Sequence, residues 1–216
     1  MATAKNGING PFSGKIGSVV GYMWKGRPVM RAMPKKTKKK PSISQLANRQ
    51  RMAVTQRFLK HIVLILRKGF AEIADEKNIT PYMAATSYNK LHAISGEYPN
   101  IIFNPALAKI SMGGLPGVEN AQMTKTEEGL LFNWEDNQYT KGADDKDRIL
   151  IVAYDPAPPL FHYIVGGAYR ADKEEFLSMK NMPSGVYEIY MAFITLEGDK
   201  TSDSIHIGTI TWEEEN

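Results

Sequence analysis

The sequence predicts an α+β chain in which an N-terminal β-hairpin plus two-helix unit is followed by an all-β sandwich. Three observations point there. Apolar residues keep helical spacing over 45–74 and again over 81–94, whereas from Val118 onward short strand-like runs alternate with turn signals. The charge also changes sign near Ser111. Residues 1–111 hold 19 Lys and Arg against 4 Asp and Glu, net +15, and residues 112–216 hold 8 against 19, net −11, within a total of +4 over 216 residues. The expected organisation is a Gly-rich hairpin arm with a Lys-rich linker (1–41), a helical region (42–111) and a β-sandwich domain (112–216).

Gly7, Gly10, Gly14, Gly17, Gly21 and Gly26 interleave with Phe12, Tyr22 and Trp24. The β-branched and aromatic residues of 15–24 suit a strand, Lys25-Gly26 suits a turn, and 27–33 suits a returning strand, hence a hairpin. Glycines inside strands mark a bulge or the close approach of another backbone, which here is either the protein's own fold or another subunit. Pro34 to Pro41 then brackets five lysines. Self-repulsion and the proline restrictions make this an extended linker, either simply solvated or available to phosphates.

Ser42 or Ser44 can cap a helix that starts at Gln45 and carries Val54, Phe58, Ile62, Ile65, Leu66 and Ile73 to about Ala74. Its first turns hold Arg49, Arg51 and Arg57 among polar neighbours, while 62–66 is apolar nearly all round and must be covered. Thr80-Pro81 starts a second helix that ends before Gly96, and 96–117 reads as an extended connection. Seven strands are then expected at 121–126, 129–134, 148–154, 161–168, 175–179, 186–195 and 205–211. The period-two pattern turns Leu130, Phe132, Trp134, Tyr187, Ile189, Met191 and Phe193 toward a core.

Catalytic and cofactor chemistry finds little support. Cysteine is absent, which excludes disulfides, thiolate nucleophiles and Cys-ligated metals. Gly10 to Ile16 echoes a phosphate-binding loop, but it has three residues between its glycines instead of four, and Ile16 where Ser or Thr would hold magnesium. His61, His92, His162 and His206 are dispersed, no G-x-S-x-G elbow occurs, and Asp144-Asp145-Lys146-Asp147 and Glu213-Glu214-Glu215 miss the EF-hand spacing. The expectation is a protein that is not an enzyme, with no cofactor and no metal site. A signal peptide and an apolar run of membrane-spanning length are both missing, so the expected location is cytoplasmic, or released in an assembly without a signal peptide, and no membrane partner is expected.

The best chemical lead is the basic segment with interleaved aromatics: Lys15, Tyr22, Trp24, Lys25, Arg27, Arg31, Lys35, Lys36, Lys38, Lys39, Lys40, Arg49, Arg51 and Arg57. Such a set suits an acidic partner, either phosphates met without sequence readout or the acidic half of another copy.

Two resemblances follow. The order of Trp134, the run from Ile149 to Tyr154, and Pro183-Ser184-Gly185-Val186-Tyr187 resembles the fibronectin type III and immunoglobulin-like sandwiches. Tyr187 stands where such folds place a tyrosine whose hydroxyl bonds upstream backbone. That resemblance implies a fold and a scaffold commonly used for binding. The string Gly14-Lys15-Ile16-Gly17-Ser18-Val19-Val20-Gly21-Tyr22-Met23-Trp24-Lys25-Gly26, with Arg31, Pro34, Gln45, Arg49, Gln50, Tyr98-Pro99 and Phe132-Asn133-Trp134, resembles an uncharacterised family of Bacteroidota proteins of about this length. It implies no activity, substrate or cofactor. The expected function is a structural or assembly protein that is a homo-oligomer or part of a larger, phage-like or surface assembly. The alternative is a nonspecific nucleic-acid-binding protein.

Overall fold

A computed structural model describes residues 2–4, 7, 10–35, 39–156 and 159–213. The chain forms two compact units, Met1–Pro41 and Ser42–Asn216. In the second unit, helix α1 (Ile43–Leu59) opens on a capping box. The Ser42 hydroxyl accepts from Gln45 N at 3.3 Å, and the Gln45 side chain accepts from Ser42 N at 3.1 Å. The single helix expected over 45–74 is corrected to three: α1, α2 (Val63–Gly69) and α3 (Ala71–Glu76). One straight helix would leave part of the apolar 62–66 stretch in water. The breaks at 60–62 and at Phe70 instead let Phe58, Leu59, Ile62, Ile65, Leu66 and Phe70 all reach one core. Helix α4 (Pro81–His92) starts as expected, with Thr80 accepting from Met83 N at 3.2 Å.

The expected extended connection over 96–117 carries local structure of its own. A short pair, β5 (Ile94–Ser95) with β6 (Ile102–Phe103), leads into a 3-10 turn at Pro105–Leu107. The chain is then tied to the loop around Ser202. Ser204 Oγ accepts from Ile110 N at 2.9 Å, and the Ser111 hydroxyl donates to Ser202 O at 2.8 Å. Gly69 is required here for space, because a Cβ would sit 2.3 Å from Ile110 O.

The seven expected strands all form: β7 (Gln122–Lys125), β8 (Gly129–Asn133), β9 (Arg148–Pro156), β10 (Pro159–Tyr169), β11 (Glu174–Ser178), β12 (Gly185–Ile194) and β13 (Ile205–Trp212). They make two antiparallel sheets, ordered β11-β8-β7 and β10-β9-β12-β13. Strand parity divides the central pair. Ile149, Ile151, Ala153, Tyr187, Ile189, Met191 and Phe193 share a core with Leu130, Phe132, Trp134 and Leu177 of the smaller sheet. Leu150, Val152, Tyr154, Tyr190, Ala192 and Ile194 share a second core with the helices. The unit is therefore three-layered, and each large aliphatic side chain buried in it contributes about 1.5–3 kcal/mol.

Two polar groups brace these layers. The Tyr187 hydroxyl donates to Pro183 O at 2.9 Å. Arg170, fully buried, lays its guanidinium 3.8 Å from the Phe193 ring centroid and donates to Asp147 Oδ2 at 3.0 and 3.2 Å, to Asn137 Oδ1 at 2.5 Å and to Pro116 O at 3.1 Å. Burial lowers its pKa and the Asp147 carboxylate opposes that shift. Trp134 Nε1 donates to Arg170 O at 2.9 Å, so this side chain and its backbone tie the connection before β7 and the β8–β9 connection to the turn after β10.

Asp147→Ala leaves the Arg170 cation buried without its counter-ion and is expected to cost about 3–5 kcal/mol in urea unfolding, whereas Arg170→Met with Asp147→Leu costs less than Asp147→Ala alone. A second expectation concerns alkaline pH. Burial, and then the Asp155 carboxylate, push the Tyr154 phenol up to about 12, and Tyr190 is raised as well, chiefly by burial. The unfolded chain releases these protons near pH ~10, where the folded chain keeps them. Stability is therefore fully present below pH ~10 and lost as the pH climbs through about 12, read as a falling urea midpoint between pH ~9 and pH ~11.

Candidate interaction surface

The first unit is a meander of four strands in the order β1-β2-β3-β4: β1 (Thr3–Ala4), β2 (Phe12–Ile16), β3 (Val19–Trp24) and β4 (Arg27–Ala32). The hairpin expected at Lys25-Gly26 forms. Both turn residues have positive φ, 44° and 76°, the requirement of a type I′ turn whose twist matches its strands. The unbroken strand expected over 15–24 is corrected to two, because Gly17 at φ 56° turns the chain between β2 and β3.

The register sorts the side chains onto two faces. Lys15, Val20 and Arg31 align across three strands, as do Tyr22 with Val29 and Trp24 with Arg27. Alternation puts all of these on one face. The Arg31 guanidinium lies 5.8 Å from the Tyr22 ring centroid, a cation–π contact within that face. The opposite face holds Phe12, Ile16, Val19, Met23, Pro28 and Met30 and is uncharged. Gly10, Pro11, Phe12, Pro28 and Met30 line a shallow apolar groove on it.

Neither face is a core. Among the described residues of 1–41 only Gly21 is buried. Trp24 is 43% exposed, Met23 and Ile16 are each 53% exposed and Met30 is 69% exposed. The close approach at Gly21 comes from within the unit, since a Cβ there would meet Phe12 O at 2.4 Å and the Phe12 ring at 2.8 Å.

Of the basic and aromatic residues singled out from the sequence, this face gathers Lys15, Tyr22, Trp24, Arg27 and Arg31, and Lys25 sits in the turn at its tip. Lys35, Lys39 and Lys40 follow as exposed residues, while Lys36 and Lys38, like Glu214 and Glu215 of the acidic tail, lie outside the described residues. Arg49, Arg51 and Arg57 are exposed on α1. At 3.6 residues per turn Arg51 points about 160° away from Arg49, with Arg57 about 80° from it.

Other candidate groups stay apart. His206 Nε2 lies 2.7 Å from Glu188 Oε2, and His92 packs beside Tyr88 with ring centroids 4.5 Å apart. Among the described residues no group of three or more His, Asp or Glu is placed to hold a metal ion, and no helix is long and apolar enough to cross a membrane. A groove between α1 and α4, lined by Met52, Tyr82, Met83 and Leu91, was not singled out from the sequence, because an exposed Met and Leu on a helix are common on any surface.

A model described as a family of unknown function, DUF6266, matches residues 11–208. The chain belongs to this family. The DUF6266 match begins one residue before β2 and ends inside β13, so it reaches into both compact units and covers β2, β3 and β4 of the N-terminal sheet. No curated protein matches the chain.

Gly21→Val forces a side chain against Phe12 and is expected to break the β2–β3 ladder. Amide exchange should show lost protection over 12–24 while the urea midpoint of the second unit stays within about 0.5 kcal/mol of the parent's.

Proposed function

We propose that the chain is a non-enzymatic structural protein that acts by assembly, its N-terminal sheet docking on another copy or on a larger phage-like or surface assembly. The observation that carries this reading is the lack of a core among the described residues of 1–41: three of the strands are long enough to pack, yet large apolar side chains are exposed on both faces. Sheets of this size are stable only with an apolar face covered. Exposed apolar area rimmed by charge marks an interaction site.

Charge favours an acidic counterpart. Residues 1–41 contain ten Lys and Arg and no Asp or Glu, whereas 42–216 contain 17 against 23. The second unit of another copy therefore attracts the first electrostatically, which sets orientation and encounter rate more than affinity. The order β11-β8-β7 facing β10-β9-β12-β13, with the Tyr187–Pro183 bond, supports reading 122–212 as a fibronectin type III or immunoglobulin-like sandwich, a scaffold suited to such binding. The GKIGxVVGYxWKG string supplies the hairpin of the proposed arm, and a Bacteroidota origin with a cytoplasmic location, or release in an assembly without a signal peptide, fits the same reading.

A second reading, nonspecific nucleic-acid binding, draws on one observation: Lys15, Arg27 and Arg31 flank Tyr22 and Trp24 on a single face. Cations for phosphates beside rings for bases suit single strands.

Light scattering on the full chain across a salt series separates the two. Assembly predicts a mass above that of one chain at low salt that falls as salt rises, and Trp24→Ala, removing an exposed aromatic anchor, weakens association roughly 30-fold. A monodisperse monomer at low salt and high concentration contradicts assembly. Mobility shift with single-stranded DNA at ~50 mM salt tests the alternative, and replacing Lys35, Lys36, Lys38, Lys39 and Lys40 by Gln then weakens binding and flattens its salt slope.

A further inference from the structure

Strand β10 ends the order β10-β9-β12-β13 and runs for 11 residues, Pro-Leu-Phe-His-Tyr-Ile-Val-Gly-Gly-Ala-Tyr, with no Asp, Glu, Lys or Arg among them. An unpaired edge presents a row of N–H and C=O groups that templates another strand, and proteins usually guard it with charge, brevity or cover. The two edges of the smaller sheet are guarded in this way, and β13, the opposite edge of the larger sheet, has one carbonyl taken by a lysine. Strand β11 opens with Glu174 and Glu175, and β7 is four residues long and carries Lys125, whose Nζ donates to Thr211 O of β13 at 2.9 Å.

On β10 the devices stand only at the ends. Pro159 opens the strand, and the register with β9 shifts between Val165 and Tyr169. Between them 160–165 pairs residue for residue with β9. Phe161, Tyr163 and Val165 alternate onto the helix-side face, where Phe161 stacks on Tyr163 with ring centroids 5.6 Å apart. The helices cover Phe161 in part, while Tyr163 and Val165 remain 41% and 39% exposed.

We propose that this edge pairs antiparallel with β10 of a second copy about a two-fold axis at Tyr163, joining two four-stranded sheets into one. The occupant is argued from the sequence of the edge itself. With Tyr163 opposite Tyr163 of the other copy, Phe161 lies opposite Val165 and His162 opposite Ile164. Phe-Tyr-Val on one face is thus its own complement, the cross-strand pairs are of the stabilising aromatic and β-branched kinds, and no like charges meet. A two-fold contact of this sort closes on itself. This interface is separate from the N-terminal sheet and does not rest on the function proposed for it.

The chain contains no cysteine, so Tyr163→Cys places a single thiol at the axis. Under mild oxidation the full-length variant is expected to form a disulfide-linked dimer well ahead of Glu197→Cys, whose thiol sits in an exposed loop. Val165→Lys, at an exposed position and hence folded with the parent's thermal midpoint, is expected to weaken dimerisation roughly tenfold or more in sedimentation equilibrium. Cross-linking of Tyr163→Cys no faster than the loop control, or a dimer unaffected by Val165→Lys, overturns the proposal, as does a wild-type chain that stays monomeric. Trp24→Ala should leave Tyr163→Cys cross-linking intact and Val165→Lys should leave the salt-dependent association intact, so the two readings fail separately.

Discussion

Burial of β9 and β12 on both faces is the constraint around which the second unit is organised. Ile149 to Tyr154 and Tyr187, Ile189 to Phe193 have no exposed surface, and the Tyr154 hydroxyl is already buried there without a hydrogen-bond partner among the described residues, so a further polar side chain on either face would be costly. One face needs the smaller sheet and the other needs the helices. That requirement explains why α1, α2 and α3 bend where they do, and why the 96–117 connection hugs the Ser202 loop instead of running free. It also explains the expense of burying Arg170: the loops that leave the two sheets converge at the edge of the core, and one guanidinium with five donors satisfies several of their acceptors at once.

The N-terminal sheet obeys the opposite rule. Its strands alternate cleanly, its turns have the glycines their φ values demand, and among the described residues of 1–41 only Gly21 is fully buried. Local chemistry therefore specifies the shape of this unit, while on the assembly reading proposed above its stabilisation comes from a surface outside it. On that same reading, ten cations and no carboxylate on such a unit, with an excess of carboxylates on the rest, place the two partners of the proposed attraction along one sequence.

Much of this was legible from residue order. Period-two alternation in Leu130-Phe132-Trp134 and Tyr187-Ile189-Met191-Phe193 marks one buried face, and Thr80-Pro81 and Ser42 with Gln45 mark helix starts, because each signal is local. The breaks at 60–62 and Phe70 were not legible, since the apolar spacing continues through them and tertiary packing alone chooses the bend. Arg170 was hidden for a related reason: a lone Arg between Tyr169 and Ala171 has the pattern of a surface residue until Asp147, Asn137 and Pro116 arrive from distant parts of the chain. At the candidate surface the residue types were legible and the two faces were not. The turn at Gly17 sets the register that lines up Lys15, Val20 and Arg31, and moving it by one residue would exchange the cationic and apolar faces.

The central claim is that residues 12–32 gain their stability from a partner surface. Amide hydrogen exchange on the full chain, measured over a range of protein concentrations at low salt, tests it most directly. The account predicts that protection of β2, β3 and β4 rises with concentration while that of β9 and β12 stays constant and high. Strong protection of β2–β4 that is already complete in dilute solution, or protection that never rises at any concentration, would contradict it.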